Sequence, residues 1–431
     1  MQKNYDVIIV GAGASGLIAA GGAARQGARV LVVEKMRQAG RKLLITGKGR
    51  CNITHDASEM VYYKNIYPNG KFLRHAFKAF FTSDILKILH DRGVETITER
   101  GNRVFPQSSR SADVHSALSS WMSRKNVIIL YNTRVNGLLI EDGAVCGVRT
   151  VSEQGNREYY SGSVIICTGG KSYPATGSTG DGYRLARQAG HKISDVRPAL
   201  VPLVTAGKTT ERLQGLGLKN IDAVVWVNGK KSAREFGELT FEQYGLSGPV
   251  ILTLSRHVVE VLAAAGNVEI GIDLKPALDE NKLDARLRRD LDSHGKKQVE
   301  NIFRLWLPVR LIPVFLDLTG IEGKKPCHQI SAPERRSILR LMKDLRFTVT
   351  GHTGFREAII TAGGVPASEI DSKTMGSKLA RNLYFAGEVI DLDGNTGGFN
   401  LQIAFSTGFL AAQSASSRLT ARKYPGQENE N

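Results

Sequence analysis

The sequence predicts an α/β protein whose first domain has a Rossmann-like dinucleotide-binding fold. Residues 7–10 form a short apolar run typical of a buried parallel strand, and Gly11, Gly13 and Gly16 then complete a G-x-G-x-x-G pattern. A second strand pattern over residues 29–33 ends in Glu34, an acid about twenty residues after the glycines. This order of strand, glycine turn, helix, strand and acid indicates the start of a βαβ unit.

Each glycine of this fingerprint has its own physical task. Gly11 allows the tight turn out of the strand, Gly13 lets the backbone approach a pyrophosphate, and Gly16 lets the helix pack closely on the sheet. The N-terminus of the following helix presents free N–H groups and a positive dipole end to the phosphates. Because the Glu34 carboxylate accepts hydrogen bonds from ribose hydroxyls, we expect a dinucleotide with a free ribose.

Length and composition limit the remaining architecture. The chain has 431 residues, more than a single core usually serves, so two or three domains are expected. It contains no long apolar run and no room for a signal peptide before the first strand, so we expect a cytoplasmic protein without a membrane span. The four cysteines lie far apart without metal-binding spacing, so neither a zinc site nor a disulfide framework is expected.

The net charge of +17 is the strongest compositional signal. An excess of this size concentrates polyanions near the surface and speeds their capture. Small-molecule enzymes can also be basic, so charge alone leaves a nucleic-acid partner and an ordinary basic enzyme as equal alternatives.

Beyond the fingerprint, the first part of the chain alternates between glycine-rich loops and regular elements. A cationic, glycine-rich loop over residues 35–52 suits backbone wrapping around an anionic cofactor. Apolar spacing predicts helices over 71–92 and 111–122, and strand patterns cover 127–130, 135–140, 144–150 and 157–166. A second glycine-rich loop, 171–182, precedes a helix that begins near Tyr183.

The pattern changes after about residue 195, where we place an inserted unit. It contains short strands such as 223–227, a turn at 245–249, and charged helical segments at 279–307 and 332–345. A buried strand returns at 383–388, and a glycine turn at 391–401 leads into a small-residue helix at 402–414. A helix that begins at such a turn presents a positive dipole end, suited to negative charge on a reduced flavin ring.

Several of these segments together resemble the BaiN-like and aminoacetone-oxidase-like FAD flavoproteins, a family that includes bacterial ribosomal RNA dihydrouridine synthases. The resemblance spans nearly the whole chain and rests on GAGASG at 11–16, GRKLLITGKGRCNIT at 40–54, TGGKSYPATGSTGDGY at 168–183, GELTFEQYGLSGP at 237–249, TAGGV at 361–365 and LYFAGEVIDLDGNTGGFNLQIAFSTG at 383–408. It implies an FAD-binding domain of the glutathione-reductase type in two sequence parts, 1–195 and 351–420. The inserted domain, 196–350, is then a β-barrel-like unit plus a small helical unit at about 275–345, and residues 421–431 are a disordered tail.

The resemblance also implies which residues meet FAD. The fingerprint residues face the pyrophosphate, Glu34 the ribose, the backbone of Val135 the adenine, Asp391 the ribityl chain and the turn at 398–401 the flavin ring. The full set of candidate cofactor-binding residues is Gly11, Gly13, Ala14, Ser15, Gly16, Glu34, Lys35, Arg41, Lys42, Gly47, Arg50, Cys51, Asn52, Val135, Thr168, Gly169, Gly387, Glu388, Asp391, Gly397, Gly398, Phe399, Asn400 and Leu401. No metal site is expected.

Cys51 is the candidate catalytic acid; His115, His191 and His352 are the other candidates, although a lone histidine is more often structural. Arg50 and the neighbouring cations are expected to lower the pKa of its thiol and place a proton donor near the flavin. The alternative is that Cys51 only packs in the cofactor loop. Lys48 departs from the family pattern, since many relatives carry a small residue there; its ammonium points outward or meets an anionic substrate.

Three functions follow from these observations. The first is an FAD enzyme that uses NADH or NADPH to reduce a uridine in 23S ribosomal RNA. The second is a small-molecule flavin oxidoreductase, either an aminoacetone or other amine oxidase or an enone reductase. The third is an RNA-binding assembly factor in which FAD is structural. There is no second G-x-G-x-x-G, so a dedicated nicotinamide domain is not expected and the reduced nicotinamide is a transient donor.

Overall fold

The computed structural model describes residues 5–423, and side chains as far as residue 417. These residues form two compact units. The first unit contains residues 5–198 and 359–423, and the second is Ala199–Ala358. Each unit has its own hydrophobic core.

The first unit is built on a central sheet of buried strands. The strands of the whole unit are β1 Tyr5–Val10, β2 Val30–Val33, β3 Thr54–His55, β4 Ile66–Tyr67, β5 Thr96–Glu99, β6 Arg103–Pro106, β7 Val127–Leu130, β8 Arg134–Glu141, β9 Ala144–Ser152, β10 Gly155–Ile166 and β11 Arg197–Ala199, and after the second unit β18 Ile360–Ala362, β19 Leu383–Phe385 and β20 Asp393–Gly394. The parallel order is β7-β2-β1-β10-β19. The apolar runs of β1 and β2 are buried on both faces, as parallel sheets require.

Strand β10 belongs to two pairings. Its first half, from Gly155 to Tyr160, pairs antiparallel with β9, which continues the sheet to β8. Its second half pairs parallel with β1 and β19. A separate three-stranded sheet, β3-β6-β5, lies beside the cationic loop, and His55 is paired there with Arg103.

Helices of the first unit follow the glycine turns and cover the sheet. They are α1 Ala14–Arg25, α2 Arg41–Ile45, α3 Glu59–Lys64, α4 Arg74–Ala79, α5 Thr82–His90, α6 Ser111–Met122, α7 Asp181–Gln188 and, near the C-terminus, α14 Phe399–Lys423. Helices α1 and α14 pack closely because their facing residues are small. A Cβ on Gly408 would lie 2.4 Å from the carbonyl oxygen of Ser15, so only glycine allows this approach.

The second unit combines a closed barrel with helices. The elements of this unit are β12 Leu203–Thr205, α8 Thr209–Arg212, β13 Gly217–Val227, β14 Lys230–Glu242, β15 Gly245–Ser247, α9 Pro249–Ala263, β16 Val268–Asp273, α10 Glu280–Ser293, α11 Val299–Trp306, α12 Ile312–Thr319, α13 Ala332–Lys343 and β17 Leu345–His352. The barrel order is β12-β15-β14-β13-β16-β17, closed by pairing of β17 with β12. The predicted fold class, with its barrel-like insert and small helical unit, is confirmed.

The structure differs from the sequence-based expectations in several details. The helix predicted over 71–92 is broken between α4 and α5, and the strand predicted over 383–388 ends at Phe385. The predicted turn at 245–249 is wrong, because Gly245–Ser247 is a barrel strand, the chain bends at Gly248 (φ +92°), and Pro249 begins a helix. The helical segment predicted over 279–307 is two helices. The barrel strand β17 extends past residue 350 to His352. Helix α14 runs to Lys423, so residues 421–423 are not a disordered tail; residues 424–431 lie outside the described residues.

Candidate active site

In the fingerprint turn, Gly11 and Gly16 have no room for a side chain, whereas Gly13 between them faces open space. A Cβ on Gly11, whose φ is +98°, would lie 2.7 Å from the Cys167 carbonyl oxygen, and a Cβ on Gly16 would lie 2.0 Å from the Gly11 carbonyl oxygen. A Cβ on Gly13 would meet nothing within 4 Å. Gly13 caps α1 without a side-chain hydrogen bond, and the first turn, which holds Ala14 and Ser15, has no acid. Uncapped helix N–H groups that face open space suit a pyrophosphate.

The Glu34 carboxylate is fixed at the end of β2, beside this turn. One oxygen accepts the Ala12 N–H at 2.7 Å, and the other accepts the Met36 N–H at 2.8 Å. A carboxylate has about four acceptor positions, so both oxygens can still accept from ribose hydroxyls.

Lys35 is already engaged by the protein. Its ammonium lies 2.6 Å from one carboxylate oxygen of Asp181, at the start of α7, and Arg134 binds the other oxygen at 2.5 Å. Burial alone would raise the pKa of Asp181, but Lys35 and Arg134 together lower it. The Lys35 side chain therefore joins β2 to α7, and its predicted cofactor contact stays a prediction.

A polar cluster joins four distant segments around Glu388. Lys42 donates to Glu388 at 2.8 Å and to the Ser172 hydroxyl at 2.6 Å, and the Ser172 hydroxyl lies 2.6 Å from the other Glu388 oxygen. That oxygen also accepts the Thr361 N–H at 2.9 Å. The cationic loop, the second glycine-rich loop and both segments that follow the insert thus converge on one carboxylate.

Tyr183 is a residue of this region that the sequence did not single out as functional. Its ring is buried, and its hydroxyl has no hydrogen-bond partner within the described part of the chain. Burial raises the pKa of Tyr183, and the carboxylates of Glu388 and Asp391 raise it further. An unpartnered hydroxyl beside two carboxylates suits a ligand that carries several hydroxyl groups.

The cationic loop forms a left-handed turn. Gly47, Lys48 and Gly49 all have positive φ, at 58°, 57° and 85°, and Cys51 follows at 60°. Arg50 does not approach the Cys51 thiol as expected. Its guanidinium pairs with Glu99 and lies over the Phe105 ring, 4.3 Å from the ring centroid.

The expected lowering of the Cys51 pKa is therefore wrong. The thiol is fully buried, and this burial raises its pKa to about 12 although a hydrogen bond with Thr46 opposes the shift. The role of Cys51 as proton donor stays a prediction. Cys167, which follows β10, is buried in the same way, with its pKa raised to about 12.

The glycine turn before α14 rests directly on the segment after Cys51. The Asn52 amide, oriented to satisfy its neighbours, accepts the Gly398 N–H at 3.1 Å and donates to the Thr54 carbonyl at 3.2 Å. A Cβ on Gly398 would lie 2.4 Å from the Thr54 carbonyl carbon, so this contact requires glycine. The Asn400 amide bonds both the N–H and the C=O of Gly394 at 2.7 Å, which fixes the turn.

His55 is a second residue that sequence reasoning missed. Its Nδ1 lies 3.1 Å from the Gly397 carbonyl oxygen, and its ring stacks on Phe399 with centroids 4.5 Å apart. Because a carbonyl only accepts, Nδ1 carries the proton and Nε2 is the lone-pair nitrogen in the neutral ring. Burial lowers the pKa of His55, and the positive charge of Arg103 also lowers it. His55 directly follows the GRCNIT motif, which is the only sequence signal for it.

A buried chain of hydrogen bonds joins β3 to α14, and no sequence motif predicts it. The Thr54 hydroxyl donates to Gln402 at 2.7 Å and lies 2.8 Å from the Tyr62 hydroxyl, which also bonds the backbone of His55. Gln402 continues the chain to Ser406 at 2.9 Å. These bonds hold β3 against the first turns of α14.

The remaining predicted residues lie on the same unit. Arg41 begins α2, Gly169 has a φ of +70°, and Leu401 packs against the core from the first turn of α14. The Val135 carbonyl accepts from Arg184 at 3.3 Å, the Asp391 N–H donates to the Val365 carbonyl at 2.9 Å, and Thr168 lies close to Gly182. A Cβ on Gly387 would lie 2.7 Å from the Ser15 hydroxyl, so Gly387 stands directly against the fingerprint helix.

These features fit FAD. The open, uncapped α1 terminus suits the pyrophosphate, Glu34 the ribose, and the unpartnered Tyr183 hydroxyl a polyhydroxylated chain. In the part of the chain that is described, no cluster of three or more His, Cys, Asp or Glu side chains is placed to hold a metal ion. None of the described helices combines the length and apolar character needed to cross a membrane.

Comparison with known proteins agrees with this architecture. Residues 5–414 match the family described as "HI0933-like protein Rossmann domain". The chain is 32% identical over 414 residues to a 3-dehydro-bile acid delta(4,6)-reductase of Clostridium scindens, covering 95% of this chain and 98% of that protein. It is 28% identical over 419 residues to the ribosomal RNA dihydrouridine synthase of Escherichia coli, covering 96% and 98%. The solved structure of the 3-ketosteroid-delta4-(5alpha)-dehydrogenase of Rhodococcus jostii RHA1 shares the fold, with a TM-score of 0.50 and 15% identity over 97% of this chain and 98% of that one.

Proposed function

Because the chain belongs to the HI0933-like Rossmann family and is an FAD-dependent oxidoreductase, we propose that it reduces a uridine of 23S ribosomal RNA to dihydrouridine, with NADH or NADPH as the electron donor. A reaction on ribosomal RNA places the protein in the cytoplasm. The uracil base must leave its stack to be reached, which favours a single-stranded or loop target.

The proposed chemistry is common to the relatives' printed names. Dihydrouridine formation saturates the C5=C6 bond of uracil beside its C4 carbonyl, and a 3-dehydro-bile acid delta(4,6)-reductase acts on double bonds conjugated to a 3-oxo group. Bound reduced FAD supplies hydride for the carbon β to the carbonyl. The protein must then hold a proton for the α carbon, position the flat conjugated group and exclude water.

The proposal of an RNA substrate rests on the distribution of positive charge along the chain. The sequence segments 1–198 and 359–431 carry 34 Lys and Arg against 22 Asp and Glu, a net charge of +12. The loop whose continuation contacts the turn of α14 carries six cations. Lys35, Lys42 and Arg50 are paired with carboxylates, and Arg37, Arg41 and Lys48 have no ion pair among the described residues. A cationic rim beside the proposed flavin site suits a polyanionic substrate.

The second unit contributes less to this charge than the sequence suggests. It carries 24 Lys and Arg against 19 Asp and Glu, a net charge of +5. Its basic helices are partly neutralised, since Arg288 and Arg335 both bind Asp284, at 2.7 and 2.8 Å. The proposal therefore rests on the FAD-binding unit rather than on the insert.

We propose the cofactor contacts that the family resemblance implies, and we consider Cys51 and the newly identified His55 as proton donors. The Cys51 thiol carries its proton throughout the neutral range, because its pKa is raised to about 12. The His55 imidazole lies beside the turn of α14 and has a lowered pKa. The two candidates predict different dependences of rate on pH: a constant rate for the Cys51 thiol and a falling rate for the His55 imidazolium.

A small-molecule enone reductase is the second candidate function. It is favoured by the similarity to the bile acid reductase, whose identity of 32% is at least as high as the 28% of the ribosomal RNA dihydrouridine synthase. This function predicts flavin reoxidation by a steroid-like enone, with no effect of RNA and little effect of salt.

Gene deletion tests the choice between these functions. We expect 23S ribosomal RNA from the deletion strain to lack one dihydrouridine, measured by mass spectrometry of nuclease digests, and a plasmid copy of the gene to restore it. An unchanged dihydrouridine content in the deletion strain would exclude the ribosomal RNA function.

A further inference from the structure

Lys48 has a backbone conformation that costs energy for any residue with a side chain. Gly47 and Gly49 on either side have the same left-handed φ, and glycine adopts it freely. Lys48 has φ +57° and ψ +41°, in the left-handed helical region that non-glycine residues seldom occupy. Strain of this kind persists only where the surroundings enforce it, and it occurs preferentially at functional sites.

No local interaction of the Lys48 side chain explains the strain. The side chain is exposed, and none of the described residues forms a hydrogen bond or ion pair with its ammonium. Lysine has no special preference for this conformation, unlike asparagine. A glycine would therefore serve the fold better at this position.

The turn that carries Lys48 is fixed by contacts of the residues that flank it. A Cβ on Gly47 would lie 3.0 Å from the Asn52 nitrogen, the Cys51 N–H donates to the Thr46 carbonyl at 2.9 Å, and Arg50 is fixed by Glu99 and Phe105. Asn52, four residues after Lys48, binds the Gly398 N–H of the α14 turn. The ammonium thus projects from a rigid loop that continues directly into the proposed flavin site.

We propose that Lys48 is a substrate-binding residue whose ammonium binds a phosphate of the RNA backbone near the reacting uridine. This inference rests on the proposed function. Lysine binds phosphate as a point charge, and such a contact adds affinity without reading a base. The strained backbone is retained because it aims the charge at the RNA.

Three substitutions of Lys48 distinguish the effect of its charge from the effect of its backbone strain. Lys48→Gly removes both, Lys48→Asn removes the charge and keeps a residue that tolerates the left-handed region, and Lys48→Arg keeps both. Lys78→Gln is the matched control, because Lys78 is an exposed lysine in a helix of the same unit. Each holoprotein is tested for its thermal midpoint, its flavin-to-protein absorbance ratio and its binding to 23S ribosomal RNA from the deletion strain over a range of KCl concentrations.

We expect Lys48→Gly to unfold about 1–4 °C higher than the wild type, with unchanged flavin content. Its affinity for the RNA should fall about three- to tenfold at low salt, and the slope of log affinity against log salt should decrease by about 0.7, the value for one phosphate contact. Lys48→Asn should bind RNA as weakly, while Lys48→Arg and Lys78→Gln should bind as the wild type does.

Unchanged RNA affinity and salt slope in Lys48→Gly, with a wild type that binds and reduces RNA, would overturn the inference and leave the proposed function standing. Loss of flavin from Lys48→Gly would also overturn it, since the ammonium would then serve the cofactor. A wild type that neither binds nor reduces the RNA would overturn the proposed function and this inference with it.

Discussion

The Lys42 ammonium lies 2.8 Å from a carboxylate oxygen of Glu388, a residue 346 positions further along the chain. The two side chains are only 23% and 12% exposed, so water weakens this pair less than a surface pair. The same carboxylate binds Ser172 and the Thr361 backbone, so one ion pair and its hydrogen bonds join the segments on either side of the insert.

Removing the Lys42 charge should therefore destabilise the FAD-binding unit. We expect Lys42→Met to lower the free energy of unfolding by about 1–3 kcal/mol, because the Glu388 carboxylate loses its only charged partner among the described residues while remaining largely buried. Urea denaturation of the apoprotein measures the change. Arg149→Gln is the control: it breaks an ion pair with Glu158 that is 51% and 41% exposed, and it should cost less than about 1 kcal/mol. Equal effects of the two changes would contradict this account.

Substitutions of two fingerprint glycines should affect stability and FAD affinity differently. A Cβ at position 16 meets a backbone oxygen that cannot move aside, so Gly16→Ala should lower the free energy of unfolding by about 1–3 kcal/mol. A Cβ at position 13 meets nothing in the protein, so Gly13→Ala should change stability by less than about 0.5 kcal/mol. Yet Gly13→Ala should weaken FAD binding by about tenfold or more, because its methyl group occupies the space proposed for the pyrophosphate. Fluorescence titration of the apoprotein with FAD measures the affinity, and normal FAD binding by Gly13→Ala would place the pyrophosphate elsewhere.

This turn and the barrel show how much the sequence predicted. Both depend on local patterns: the spacing of glycines after an apolar run, and short alternating strands between turns. The segments that meet FAD in the prediction also converge in the structure, since Asn52 bonds Gly398 and Lys42 bonds Glu388. The family resemblance supplied that grouping, because no local pattern relates residues so distant in sequence.

What failed depended on long-range packing. The cations close to Cys51 in sequence suggested a low pKa for its thiol. Burial instead raises this pKa, and the burial depends on elements from other parts of the chain that pack over the loop. Likewise, Gly245–Ser247 has the residues of a turn but forms a strand, because its backbone pairs with both β12 and β14. Thr54, Tyr62 and Gln402 carry no motif, and only the folded chain brings them together.

The proton donor should be distinguishable by the dependence of rate on pH. A Cys51 thiol with its pKa raised to about 12 stays protonated, so the rate of substrate reduction should be constant between about pH 6 and pH 9. Cys51→Ala should keep FAD bound and slow this step by about 100-fold. Single-turnover reoxidation of the reduced enzyme isolates the step. Full activity in Cys51→Ala, with a rate that falls as the pH rises above the lowered pKa of His55, would assign the proton to His55 instead.

Stability should decrease on mild acidification. Burial lowers the pKa values of His55, His191 and His352 below the ordinary value of 6.5. The unfolded chain therefore takes up these protons first, so the stabilisation is complete above about pH 6.5 and is lost as the pH falls below that value. Each histidine contributes a slope of at most about 1.4 kcal/mol per pH unit.

Denaturation of the apoprotein between about pH 7 and pH 5.5 measures this slope, above the range in which ordinary carboxylates titrate. His55→Gln should reduce the slope, because it removes one of the three groups. An identical slope in the variant would show that His55 titrates alike in the folded and unfolded chains.

The most direct test of the proposed function is the anaerobic reoxidation of the reduced enzyme. The holoprotein is reduced with NADH or NADPH, the excess donor is removed, and flavin absorbance is followed after addition of either 23S ribosomal RNA from the deletion strain or a steroid with a conjugated 3-oxo group. We predict that the RNA reoxidises the flavin and gains one dihydrouridine per reduced enzyme, whereas the steroid leaves the flavin reduced. Reoxidation by the steroid, with no dihydrouridine formed in the RNA, would contradict the proposed function.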